Sequence, residues 1–123
     1  MRLLLDTHAF LWWDAKDPHL PEQFRTAIAS PENDVFVSAA TVWEIAIKRT
    51  IGKLNFAGSA SNAVTRHRFQ PLSITPQHAE WAGSMPELHR DPFDRMLIAQ
   101  AQHEGMILVT IDPQILRYQV PHL

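Results

Sequence analysis

Three short, unbroken apolar runs constrain this chain most: Leu3-Leu4-Leu5, Val35-Phe36-Val37 and Ile107-Leu108-Val109. A half-exposed strand alternates apolar and polar residues. A contiguous apolar run belongs to a strand covered on both faces, as in a parallel sheet sandwiched between helices. Helix-length segments separate the runs, and strands alternating with helices pair in parallel through right-handed crossovers. The expected fold is therefore an α/β sandwich of three layers, α/β/α, around a mainly parallel sheet. Its 123 residues are one domain's worth.

The first strand is expected over Arg2–Asp6, then a helix over Thr7–Trp13 and another over Glu22–Ala29, where Pro21 suits a helix start. Ser38 caps a helix over about Ala40–Ile51, ended by Gly52, with Val42, Ile45, Ala46 and Arg49 spaced as its core face. A helix over Ser59–Arg68 precedes a strand in Phe69–Ile74, which Pro71 assigns to a sheet edge. Thr75-Pro76 opens a helix that runs through Trp81 and stops by Gly83. Asp91-Pro92 opens a stronger one, Pro92–Glu104, closed by Gly105. Met106–Thr110 is a strand, a short helix follows Asp112-Pro113, and Tyr118–Val120 reads as a last strand.

In such a sheet the carboxyl ends of the strands share one edge, where ligands bind. Asp6 and Asp112 follow two of the apolar runs, Glu44 lies just inside the helix after a third, and Asp94 opens a helix after a loop. Taken singly, an aspartate at a helix start is accounted for as a cap. Asp91 and Asp112, each before proline, fit that reading. Glu44 does not, because it lies inside a helix between Trp43 and Ile45 and needs a cation or a hydrogen-bond partner. Four carboxylates in one pocket repel unless a cation joins them. An all-oxygen donor set suits Mg²⁺, or Mn²⁺.

Other chemistry is excluded or weakened. There is no cysteine, so disulfides and thiolate metal sites are ruled out. The seven histidines lack zinc-ligand spacing. A net charge of -2 gives no general attraction to nucleic acid, so such a role needs local cations. Arg90 and Arg95 flank the Asp91/Asp94 pair, Lys48 and Arg49 follow Glu44, and Arg66, His67 and Arg68 form a further cluster. The apolar stretches fall short of a membrane span, the N-terminus lacks the features of a signal peptide, and a cytoplasmic protein is expected. The four tryptophans read as core or interface residues before base-stacking ones.

The acids stand in segments that resemble the PIN-domain ribonucleases and, among them, the VapC-type toxins of toxin–antitoxin pairs. Those segments are Leu3-Leu4-Leu5-Asp6-Thr7-His8, Ser38 to Ala46, His89-Arg90-Asp91-Pro92-Phe93-Asp94-Arg95 with Leu97-Ile98-Ala99, and Leu108-Val109-Thr110-Ile111-Asp112. The resemblance covers essentially the whole length in the family's order. It implies a PIN-like domain over residues 1–123 and a Mg²⁺-dependent endoribonuclease. Asp6 and Asp94 would be the principal metal ligands, and Glu44 and Asp112 the remaining acids. Thr7, Thr110, Asp91, Arg90 and Arg95 would surround the site or touch substrate. Aligning Leu97-Ile98-Ala99 favours Asp94 over Asp91 as the site acid, leaving Asp91 a cap or a group that supports the ligands from behind. The resemblance further implies an RNA substrate, a cognate antitoxin and a homodimer. Two other readings compete: a receiver-like phospho-signalling domain built on Mg²⁺-binding acids, and a non-catalytic binding module. The number of metal ions is open.

Overall fold

A computed structural model describes residues 1–123. In chain order the elements are β1 (Arg2–Leu5), α1 (Thr7–Asp14), α2 (Glu22–Ala29), β2 (Asp34–Ser38), α3 (Ala39–Thr50), α4 (Ala60–Arg66), β3 (Gln70–Leu72), α5 (Pro76–Ser84), α6 (Pro92–Glu104) and β4 (Ile107–Val109). A 3-10 turn covers Ile115–Arg117. The sheet order is β3-β2-β1-β4, and every pairing is parallel. Register sets Leu3 beside Val35 and Ile107, and Leu4 beside Phe36 and Leu108. A receiver-type sheet runs 2-1-3-4-5, so this order departs from the signalling alternative.

The contiguous apolar runs have a simple origin. Side chains alternate across the sheet, and both faces are covered. Leu3, Leu5, Val35, Val37 and Val109 face a core built with Phe10, Phe24, Ile28, Ile45 and Val64 from α1–α4. Leu4 and Leu108 face a second core, with Leu97, Ile98 and Ala101 of α6 and Met85, Ile115 and Tyr118. Leu3, Leu4 and Leu5 are all fully buried, so the central strand has no solvent face.

Local signals set the helix ends. The Ser38 hydroxyl accepts from Ala40 N (3.0 Å) and the Thr75 hydroxyl from His78 N (3.1 Å), while Gly105 closes α6 at φ 66°. That left-handed conformation favours glycine. Pro71 sits in β3, the edge strand its missing N–H requires.

Two sequence expectations fail. The buried stripe of α3 is Ala40, Thr41, Glu44 and Ile45, while Ala46 and Arg49 are exposed and Val42 is half-buried. Apolar spacing permits either stripe; the polar anchoring of Glu44 decides, because turning Val42 and Ala46 inward would turn Glu44 out. Val42, Trp43 and Ala46 instead line an apolar groove of about 330 Å³ beside α4 and Pro71. Tyr118–Val120 is no strand. Past β4 the chain makes one parallel bridge, Leu108 to His122, and Pro121, with no N–H, cannot extend a ladder there.

Candidate active site

Asp6 leaves the carboxyl end of β1. Its N–H still bonds Val109 O (3.1 Å), and its Oδ1 accepts from Ala9 N (2.8 Å), capping α1. The capping bond explains its position. The residue is 4% exposed, and burial pushes its carboxyl above the ordinary 3.8. The Thr110 hydroxyl, the Ala9 N–H and His8 pull it down, while the Asp112 charge adds to the rise. Asp6 and Asp112 are thus electrostatic neighbours, although they lie at opposite ends of the chain.

Glu44 is equally buried, on the inward face of α3. Thr7 Oγ1 donates to its Oε1 (2.7 Å), and Lys48, one turn on, places Nζ 2.7 Å from its Oε2. Thr7 also touches Thr41 through the hydroxyls (3.3 Å). Glu44, Asp91 and Asp94 together hold the Lys48 ammonium above its ordinary 10.5, Glu44 most strongly. One lysine therefore faces three carboxylates.

Asp91 and Asp94 have separate tasks. Asp91 Oδ1 accepts from Phe93 N (2.9 Å) and Asp94 N (3.0 Å) and caps α6. Asp94, one turn into the helix, has its Oδ2 2.8 Å from His89 Nε2. Its carboxyl is pushed up to about 6, chiefly by burial and then by the charges of Asp91 and Glu44; His89 opposes the rise. Asp112 accepts from Gln114 N at Oδ1 (2.8 Å), and its own N–H donates to Thr110 Oγ1 (3.0 Å). A ligand atom each from His89, Asp94 and Asp112 lies within 4.8 Å of the others.

Asp94 and Asp112 lie within reach of a shared ion, Asp6 feels the charge of Asp112, and Asp94 feels that of Glu44. This ring of neighbouring charges, open between Glu44 and Asp6, is all-oxygen apart from His89. Burial lifts two of its members, and one ammonium offsets several acids. Surplus buried negative charge with oxygen donors fits a hard divalent cation.

Around this ring the sequence reading is only partly matched. Thr7 and Thr110 lie where expected, against Glu44 and Asp6. Arg90 is exposed. Arg95 requires correction as a substrate-contacting candidate. Its Nη1 donates to Pro86 O, His89 O and Tyr118 Oη, and its Nη2 to Ala82 O and Met85 O (2.8–3.3 Å). Its partners are four carbonyls of residues 82–89 and the Tyr118 hydroxyl, so the guanidinium's donors are spent within the fold. His89, which approaches Asp94, enters the sequence reading only as the first residue of the segment that resembles the family. It sits in a loop without periodicity, so its direction is set by the loop's anchors. Trp43 and Trp81 are 60% and 51% exposed, so neither is a core residue; Trp43 packs edge-on against Phe93 at 5.2 Å.

The sequence profile of the PIN domain matches residues 3–121. Ribonuclease VapC22 of Mycobacterium tuberculosis is 28% identical over 127 residues, spanning 97% of this chain and 93% of that protein. The fold is similar to that of VapBC2 from Rickettsia felis, solved bound to a promoter DNA fragment (TM-score 0.68, 14% identity, 100% and 98% of the two chains). It is also similar to DNA-bound VapBC from Salmonella typhimurium (TM-score 0.66, 18% identity, 100% and 97%). A toxin–antitoxin complex from Klebsiella pneumoniae gives TM-score 0.66 at 16% identity, covering 98% and 95%. With nearly its whole length matched, and a parallel sheet whose carboxyl edge gathers the four acids, the chain belongs to the PIN-domain family.

Proposed function

We propose that this protein is a Mg²⁺-dependent endoribonuclease, the toxin of a toxin–antitoxin pair, acting as one PIN-like unit over residues 1–123. The observation that carries the reading is the convergence of Asp6, Glu44, Asp94 and Asp112, with Asp6 and Asp94 destabilised as anions. The similarity to a VapC ribonuclease supports RNA as the substrate.

Asp6 and Asp94 would be the principal ligands of such an ion, with Glu44 and Asp112 completing the set; Mn²⁺ suits the same donors. When bound, such an ion polarises a phosphodiester and acidifies a coordinated water. The chain's own groups do the rest. The Ala9 N–H and the Thr110 hydroxyl hold Asp6, and Thr7 with Lys48 holds Glu44, so the carboxylates need little reorganisation. Asp112 spends one oxygen on Gln114 N and keeps the other free to accept a proton from attacking water. Lys48, 42% exposed at its side chain, and exposed Arg90 supply positive charge where the RNA backbone arrives. Attack by water leaves a 5′-phosphate and a 3′-hydroxyl.

A cognate antitoxin and a homodimer complete the reading. Toxin–antitoxin complexes among the similar folds support the former. Exposed Trp81, Leu88 and Leu116 offer apolar surface for protein contact. No helix is long and apolar enough to cross a membrane, and cytoplasmic action on RNA is the setting proposed. The test is cleavage of total RNA by antitoxin-free protein with Mg²⁺, with EDTA, and with Asp94→Asn. Discrete cuts that require both metal and Asp94 are expected. Cutting that persists in EDTA, or in the variant, would overturn the assignment.

A further inference from the structure

His89 stands outside the four acids, yet its Nε2 lies 2.8 Å from Asp94 Oδ2, and both side chains are largely buried, 17% and 16% exposed. The loop that presents it is fastened with unusual density. Tyr118 Oη accepts from Leu88 N (3.1 Å) and His89 N (3.0 Å) and donates to Pro86 O (2.6 Å). Arg95 Nη1 reaches Pro86 O, His89 O and the same Tyr118 oxygen, and Arg95 Nη2 reaches Ala82 O and Met85 O. Arg117 Nη1 donates to Leu88 O (2.6 Å). Two arginines and a tyrosine thus tie down the backbone of residues 85–89. Tyr118 and Arg95 hold the N–H and the carbonyl of His89 itself.

The clasp fixes the backbone from which the His89 imidazole reaches Asp94. Asp94 Oδ2 takes the imidazole, and Oδ1 has no partner within the protein. A carboxylate so held presents one defined oxygen to an ion, whereas a free one swings and chelates in either mode. Hydrogen bonds behind a metal ligand typically govern affinity or activity by 10- to 100-fold. We infer that His89 is a positioning residue for Asp94, and that Tyr118 and Arg95 form a clasp whose task is to aim it. This rests on the metal-dependent reading above. It adds a residue to the working site and gives a tyrosine far along the chain a part in metal binding.

Mn²⁺ alone is the probe. Its dissociation constant is measured from the free-ion electron paramagnetic resonance signal, without RNA. The proteins are wild type, His89→Phe, His89→Gln, Tyr118→Phe and, as control, Asp94→Asn, each checked for folding by circular dichroism. His89→Phe is expected to weaken Mn²⁺ about tenfold. His89→Gln keeps an N–H donor and restores most of that loss; Tyr118→Phe falls between. Folded Tyr118→Phe keeps the question decidable if His89→Phe fails to fold. Equal affinity in wild type, His89→Phe and Tyr118→Phe would overturn the positioning role while leaving the metal site intact. His89→Gln no better than His89→Phe would also overturn it. Imidazole nitrogen coupling on wild-type Mn²⁺, lost in His89→Phe, would make His89 a ligand instead of a positioning residue. Wild type that binds no Mn²⁺ would sink the metal-dependent reading itself, and this inference with it.

Discussion

Replacing Asp94 by asparagine should stabilise the metal-free protein even as it destroys the site. Folding pushes the Asp94 carboxyl from 3.8 up to about 6, with burial as the first cause. A group whose value is raised on folding lends its full stability below the unfolded value, near pH 4, and loses it as pH rises through about 6. At about 1.4 kcal/mol per pH unit, the ionised carboxylate costs about 3 kcal/mol at pH 8. Solvent relaxation around a partly buried group, and the weaker bond an amide makes with His89, leave about half of this, ~1.5 kcal/mol. For a domain of this size that corresponds to about 5 °C. The assay is differential scanning calorimetry in EDTA at pH 4 and pH 8. Asp94→Asn is expected to melt about 5 °C above wild type at pH 8, with most of the gap gone at pH 4. Added Mg²⁺ should raise wild type and leave the variant unmoved. A variant that melts at or below wild type at pH 8, or a gap independent of pH, would refute the claim that Asp94 is held as a strained anion.

Other consequences follow from the same contacts. Leu4→Ala empties a fully buried position in the central strand and should cost about 3–4 kcal/mol in a urea titration. Gly105→Ala places a side chain at φ 66°, and its loss of about 1 kcal/mol should appear as a few degrees of melting temperature. The Glu104 carboxyl is held below its ordinary 4.5, first by its bond with His78 (2.9 Å). Its stabilisation is present above that value and lost as pH falls through the lowered one. Glu104→Gln should therefore melt slightly below wild type at pH 7, by less than about 1 kcal/mol for so open a pair, and the gap should close on acidification through the lowered value.

The layers and the strand ends were readable because apolar runs report burial on both faces. Leu3-Leu4-Leu5 needs two cores, and the structure supplies two. The caps were readable for a related reason: Ser38, Thr75 and Asp91 act within three residues of themselves. What escaped was orientation. The stripe of α3 includes a buried glutamate held by Thr7 and Lys48, a polar anchor that no apolar spacing rule contains. Arg95, placed by sequence beside two acids, spends its donors on carbonyls of residues 82–89 and on Tyr118. His89 gains its direction from Tyr118, a partner found only once the chain has folded.

The pairing of β1 with β4 has a consequence in time. The ribosome makes Asp6 almost at once, but β4 and Asp112 come from the far end of the described chain. At about 5–20 residues per second, the interval is of order 5–20 s. For that period the nascent chain carries a first strand that lacks one neighbour, and Asp6 lacks the charge of Asp112 beside it. The carboxyl edge of the sheet is therefore complete only when the last strand docks, and the site forms late and in one step.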